Sequence, residues 1–119
     1  AGMDGEITPE SAEDLSNSTD IRIVDIRSPP AYDRGHIPDS ENIPFEMLPD
    51  RVDELADADR IVTVCPHGHA SVQAARLIGS YAGTADSRVE SMEGGLTEWD
   101  GPLEGASPQA ADEGPEAPF

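Results

Sequence analysis

Cys65 is the single cysteine of this 119-residue chain. It follows the apolar run Ile61-Val62-Thr63-Val64 and opens the segment Pro66-His67-Gly68-His69-Ala70-Ser71. The β-branched run reads as a strand, and Ala70 to Gly79 reads as a helix with Val72, Ala75, Leu77 and Ile78 available to pack. A compact strand-to-helix loop can turn successive backbone N–H groups inward beside the helix N-terminus, which makes a nest for an anion. A sulfur in such a nest meets partial positive charge, and thiolate is favoured over thiol. The same donors suit a persulfide or the oxygens of an oxyanion. Gly68 permits the backbone conformation such a loop requires, and Ser71 offers a hydroxyl donor. The candidate site is therefore Cys65 as nucleophile, with Pro66, His67, Gly68, His69, Ala70 and Ser71 binding substrate through backbone and side chains.

Blander readings stand beside this one. A lone cysteine is commonly a small buried hydrophobe. Cys65, His67 and His69 offer three possible ligands for a metal, but alternate loop residues rarely converge without a further partner, so no metal or cofactor is expected. The two histidines either border the pocket, adding charge when protonated, or face solvent. One cysteine excludes an intrachain disulfide and a cysteine-rich zinc site.

The elements around the loop read as an α/β domain. Thr8-Pro9 looks like an N-cap with proline in the first turn of a helix running to about Leu15. Residues 17–20 read as a turn. Ile21 to Ile26 is apolar enough for a central strand of a parallel sheet, and Ser28-Pro29-Pro30 reads as its stop. Arg34 to Pro38 reads as loop, residues 41–43 as a very short strand, Pro49 to Leu55 as a short acidic helix, and Ser87 to Ser91 as a further strand. Gly94-Gly95 turns into a short segment ending near Trp99, which reads as core. Strands alternating with short helices predict a mainly parallel central sheet flanked by helices, with ligands bound beyond the carboxyl ends of the strands. Cys65 sits at such an end. Residues 1–5 are expected to be an N-terminal extension and 6–100 the domain. Residues 101–119, with four prolines, three glycines and four acids, read as an acidic, mostly unstructured tail.

The formal net charge is −18, and all seven basic residues are arginine. Such a surface repels nucleic acid and anionic membranes. No apolar run approaches the roughly 20 residues of a membrane span, and no secretory signal precedes the domain, so a cytoplasmic location is expected. Beyond simple solubility, so many carboxylates predict adaptation to a salt-rich, halophilic cytoplasm, where screening relieves their repulsion.

Three blocks carry a family resemblance. Asp25-Ile26-Arg27, followed by Tyr32 to Ser40 and Asn42-Ile43-Pro44, resembles the N-terminal signature of rhodanese domains. Cys65 to Ser71 resembles their active-site loop, and Met92-Glu93-Gly94-Gly95-Leu96 with Trp99 their C-terminal signature. The blocks occur in the family's order over about residues 6–100. The resemblance implies the rhodanese-like three-layer fold and a persulfide relay on Cys65, with two half-reactions and ping-pong kinetics. The implied partners are a small sulfur-containing anion or a protein persulfide as donor and a thiophilic acceptor such as cyanide or a thiol. A monomer or weak dimer is expected. By the same resemblance Arg27 contributes to the substrate site, and Asp25 with Arg27 organises the scaffold nearby. His36 is read as structural rather than as a base.

Related folds include cysteine phosphatases and arsenate reductases, which clamp an oxyanion with an arginine closing the loop. Ser71 stands there, and the next arginine is Arg76, inside the helix. The alternative to an enzyme is a non-catalytic binding or sulfur-carrier module. The loop contains no cation of its own, which disfavours a dianion such as thiosulfate as donor and leaves a protein persulfide equally open.

Overall fold

The computed structural model describes residues 3–16 and 21–105. Its frame is a five-stranded sheet in which every pairing is parallel. In chain order, β1 (Gly5–Ile7) leads to α1 (Pro9–Leu15), β2 (Ile21–Asp25), α2 (Pro29–Arg34), β3 (Glu41–Asn42), α3 (Leu48–Arg51), β4 (Arg60–Val64), α4 (Ala70–Gly79) and β5 (Arg88–Met92). Four 3-10 turns, Phe45–Met47, Val52–Leu55, Ala82–Thr84 and Gly95–Glu98, complete the described part. The spatial order is β1-β5-β4-β2-β3, which places β4 at the centre. The expected α/β architecture is thus observed, and the strand that delivers Cys65 is flanked on both sides.

Parallel strands covered on both faces need apolar residues at successive positions, and each strand divides them between two cores. Val24, Ile26, Ile61 and Val89 pack on one face against Leu48, Leu55, Ala74 and Ile78 from α3, α4 and the turn between α3 and β4. Ile7, Ile23, Val62, Val64 and Met92 face the other way, against Ala12 of α1, Ile37 and Trp99. The reading of Trp99 as core holds, with its indole N–H donating to the Pro102 carbonyl at 3.0 Å. Among the charged side chains, Glu90 is 3% exposed, and two arginines neutralise it: Arg60 at 2.8 Å and Arg88 at 3.2 Å.

The sequence reading and the structure differ at five places. The strand stop read at Ser28-Pro29-Pro30 holds, since β2 ends at Asp25, but the same prolines also open the unanticipated helix α2, because prolines in a first helical turn lose no hydrogen bond and bring φ near its helical value. The first strand begins at Gly5, inside the stretch read as an extension. It pairs with β5, and Asp4 adds a backbone bond to the Val89 carbonyl and a carboxylate acceptor for the Val89 N–H at 2.7 Å. The 3-10 turn Ala82–Thr84 was not anticipated. The stretch read as a tail starts bound to the domain, since Glu104 pairs with His36 through two backbone bonds of 2.7 and 2.8 Å. The turn expected at 17–20 and the remainder of the tail, 106–119, lie outside the described residues. The helix read at Pro49–Leu55 divides into α3 and a 3-10 turn.

Candidate active site

β4 runs into the site, and Val64, its last residue, lies in register with Asp25 of β2. Cys65 follows, is 3% exposed, and belongs to the core cluster on the α4 face of the sheet. Its Sγ accepts the Gly68 N–H at 3.1 Å and the Ser71 N–H at 3.3 Å, and the Ser71 hydroxyl stands 3.3 Å away. When Cys65 is a thiolate, that hydroxyl donates to it; when it is a thiol, the S–H donates to the hydroxyl. Burial pushes the thiol up, but the Ser71 hydroxyl and the amides of Ser71, Gly68 and His67 outweigh it. The net effect holds Cys65 below its ordinary value. These groups form the nest expected of a strand-to-helix loop, ending at the first turn of α4.

The loop has a floor. The Cys65 carbonyl accepts the Leu96 N–H at 2.9 Å, and the Pro66 carbonyl accepts the Thr97 N–H at 3.1 Å. Gly95 lies so close beneath that a Cβ there would fall 2.2 Å from the Cys65 carbonyl oxygen and 2.5 Å from the Pro66 carbonyl. Gly68, at φ +84°, faces the same turn, and a Cβ on it would stand 2.7 Å from the Gly94 nitrogen. Two blocks separated by some 25 residues in sequence therefore meet backbone to backbone. That contact explains why glycines stand in both.

Of the loop residues, Gly68 and Ser71 are buried, whereas Pro66, His67, His69 and Ala70 are exposed on the rim. His67 contributes its amide to the sulfur. Among the described residues, no group of three or more His, Cys, Asp and Glu side chains is placed to hold a metal.

Asp25 and Arg27 form a pair at the end of β2, one strand away. Arg27 Nε and Nη2 engage the Asp25 carboxylate at 2.7 to 3.1 Å, and Nη2 also reaches the Gly35 carbonyl at 2.7 Å. The Asn42 amide donates to the carbonyls of Asp25 at 3.0 Å and Arg27 at 2.9 Å. Arg27 thus bonds to the scaffold through Nε and Nη2, and among the described residues no hydrogen bond joins it to residues 65–71. His36 stacks on Tyr32 at 3.8 Å between ring centroids, with Nδ1 2.8 Å from the Tyr32 carbonyl oxygen. Its ring is thus held by Tyr32, with no hydrogen bond to residues 65–71 among the described residues.

The sequence reading passed over two side chains under the nest. Thr63 donates its hydroxyl to the Ser71 carbonyl at 2.7 Å and so anchors the first turn of α4. Ser91 on β5 places its hydroxyl 2.7 Å from that of Ser71. Both are fully buried, and they pair in register across β4 and β5. The available signal for Thr63 was a hydroxyl residue interrupting the apolar series of β4, whereas Ser91 in Arg88–Met92 carried none.

Comparison with known proteins places this arrangement. The rhodanese-like domain model matches residues 8–101. The chain is 37% identical over 94 residues to a thiosulfate sulfurtransferase GlpE of Pseudomonas syringae pv. syringae, covering 78% of this chain and 84% of that protein. Among solved structures it is similar to the rhodanese-like domain of an Anabaena protein, with a TM-score of 0.76, 23% identity, and coverage of 98% of this chain and 88% of that one. It is also similar to a protein of unknown function from Rhodopseudomonas palustris, described as a possible tyrosine phosphatase. There the TM-score is 0.75 at 28% identity, covering 84% of each chain.

Proposed function

Because the chain belongs to the rhodanese-like domain family, we propose that it is a sulfurtransferase in which Cys65 carries the transferred sulfur as a persulfide. The observation that carries this reading is the ring of donors on Cys65 Sγ from Gly68 and Ser71. In the first half-reaction the thiolate attacks the outer sulfur of a donor. A Cys65 Sγ–S bond forms, the donor's own bond to that sulfur breaks, and the electron pair leaves with the donor remnant (sulfite, for thiosulfate). In the second, a thiophilic acceptor attacks the outer sulfur and Cys65 leaves as thiolate. The loop amides hold negative charge through both steps. The chemistry uses the protein's own sulfur and calls for no cofactor.

A protein persulfide or thiol carrier suits this surface better than a free dianion. A cleft of about 390 Å³ lined by Thr8, Pro9, Gly94 and the acids Glu10, Glu93, Glu98 and Asp100 adjoins the Gly94-Gly95 turn, though no residue of the Cys65 loop lines it. His67 and His69 are the only titratable side chains on the loop's exposed rim, and Arg27 is paired with Asp25. The phosphatase and arsenate reductase readings lack their oxyanion clamp, since no arginine lies between Cys65 and Ser71.

Intact mass after incubation with polysulfide or thiosulfate tests the function. The expected result is a gain of one sulfur atom, removed by cyanide or dithiothreitol. Absence of any adduct at low and high salt would instead favour a binding module.

Among the described residues no helix is long and apolar enough to cross a membrane. A cytoplasmic, salt-rich setting and an autonomous domain of about residues 4–104, wider at both ends than the 6–100 read from the sequence, belong to the same proposal. With a net charge of −18, the melting temperature is expected to rise from dilute buffer to molar KCl. A flat profile removes the salt adaptation and leaves the catalytic proposal standing.

A further inference from the structure

We infer that Ser91 is a positioning residue for the sulfur chemistry: from β5 it holds the Ser71 hydroxyl so that the proton of that hydroxyl points at Cys65 Sγ. The inference rests on the reading of Cys65 as the sulfur carrier and extends it one residue beneath the nest.

The three side chains form a file on one face of the sheet. Ser91 Oγ lies 2.7 Å from Ser71 Oγ, which lies 3.3 Å from Cys65 Sγ. Ser71 and Ser91 are both at 0% exposure, so no solvent competes for their protons. A buried hydroxyl is costly unless it is bonded, and among the described residues the Ser91 hydroxyl has one partner, Ser71. Packing alone would be met by alanine or valine, as at Ala74 and Val89 in the same core.

A hydroxyl has one proton, so its direction decides what it stabilises. With Cys65 as thiolate, Ser71 donates to sulfur and its lone pair accepts the Ser91 O–H. With Cys65 as thiol, the file reverses: the S–H donates to Ser71 and Ser71 donates to Ser91. Ser91 thus fills the second site on Ser71 in either state, and in the thiolate state it polarises the Ser71 O–H toward the sulfur. Thr63 cannot substitute, because its own proton is spent on the Ser71 carbonyl. The other titratable and charged groups around Cys65 are His67 and His69 on the loop, the Asp25–Arg27 pair at the end of β2, and Glu93 after β5. None of them changes when Ser91 is replaced.

The test is the pH dependence of iodoacetamide alkylation, which reads Cys65 alone because the chain has no other thiol. It needs no sulfur donor, so a failed transfer assay and a failed midpoint shift are separate results. For Ser91→Ala the midpoint is expected to rise, lowering the rate on the acid limb about threefold and leaving the alkaline plateau in place. Ser71→Ala is expected to lower the acid limb about tenfold, and adding Ser91→Ala to it should change nothing further. Ser91→Thr, which keeps the hydroxyl, should retain the parental midpoint and covers the case of an unfolded alanine variant. An unmoved midpoint in Ser91→Ala, the same shift with and without Ser71, or a raised midpoint in Ser91→Thr would each overturn the inference.

Discussion

Replacing Cys65 with serine is expected to lower sulfur transfer by about 10⁴-fold or more, with stability changed by only about 1 kcal/mol. The large kinetic loss follows from the element. The donors from Gly68, Ser71 and His67 bring the thiol below its ordinary value, but a serine hydroxyl starts several units higher and stays protonated at neutral pH. Oxygen in that position also forms no persulfide, so the sulfur adduct should vanish from the mass spectrum along with turnover. The small structural effect follows from the same contacts, since a hydroxyl can accept the Gly68 and Ser71 amides that now meet sulfur. The parental rate should fall on acidification, because protonation of Cys65 removes the nucleophile, and the fall should begin below the ordinary range of a free thiol. Steady-state kinetics with purified parent and variant decide the matter. A serine variant that kept most of the activity would make Cys65 incidental and return the chain to the class of binding modules.

The parts of this molecule that were legible beforehand are those whose signal is local. The runs at Ile21 and Ile61 announce buried strands by apolar content alone, and Ala70–Gly79 forms a helix with the bounds its pattern suggests. The nest around Cys65 was legible for the same reason, because a thiol between a buried strand and a helix start has few other geometries open to it. What escaped depends on partners far away in sequence. Gly5-Glu6-Ile7 becomes a strand only because β5 and the Asp4 carboxylate complete it. Pro29-Pro30 reads as a terminator until a helix is seen to use both prolines in its first turn. Ser91 is unremarkable in a strand until the sheet sets it beside Thr63 and under Ser71, some 20 residues earlier in the chain. Arg27 is a mixed case. The resemblance gave it both a place at the substrate site and a scaffold role with Asp25, and the hydrogen bonds seen are those of the scaffold.

The substitution Gly95→Ala is expected to destabilise the protein by about 3 kcal/mol or more, lowering its melting temperature by on the order of 15 °C. Two costs combine. Gly95 sits at φ +64°, which a side chain makes unfavourable, and the added Cβ would fall 2.2 to 2.5 Å from the Cys65 and Pro66 carbonyls. Those atoms are backbone and cannot swing aside as a flexible side chain would. Both carbonyls are also held by hydrogen bonds from Leu96 and Thr97 on the same turn, so relief means moving the turn away from the loop. Any molecules that stay folded should therefore carry a displaced Cys65, with slower alkylation on the acid limb and turnover lower by about 100-fold. Gly35→Ala is the control. That residue has extended backbone, and its added Cβ would meet only Leu103 atoms at 3.7 and 4.0 Å, so it should change stability by less than about 1 kcal/mol. Thermal melts of the two variants decide whether the Gly94-Gly95 turn acts as the rigid floor of the sulfur site. Equal, small shifts in both would show that it does not, and the arrangement of Cys65 would then have to rest on α4 and β4 alone.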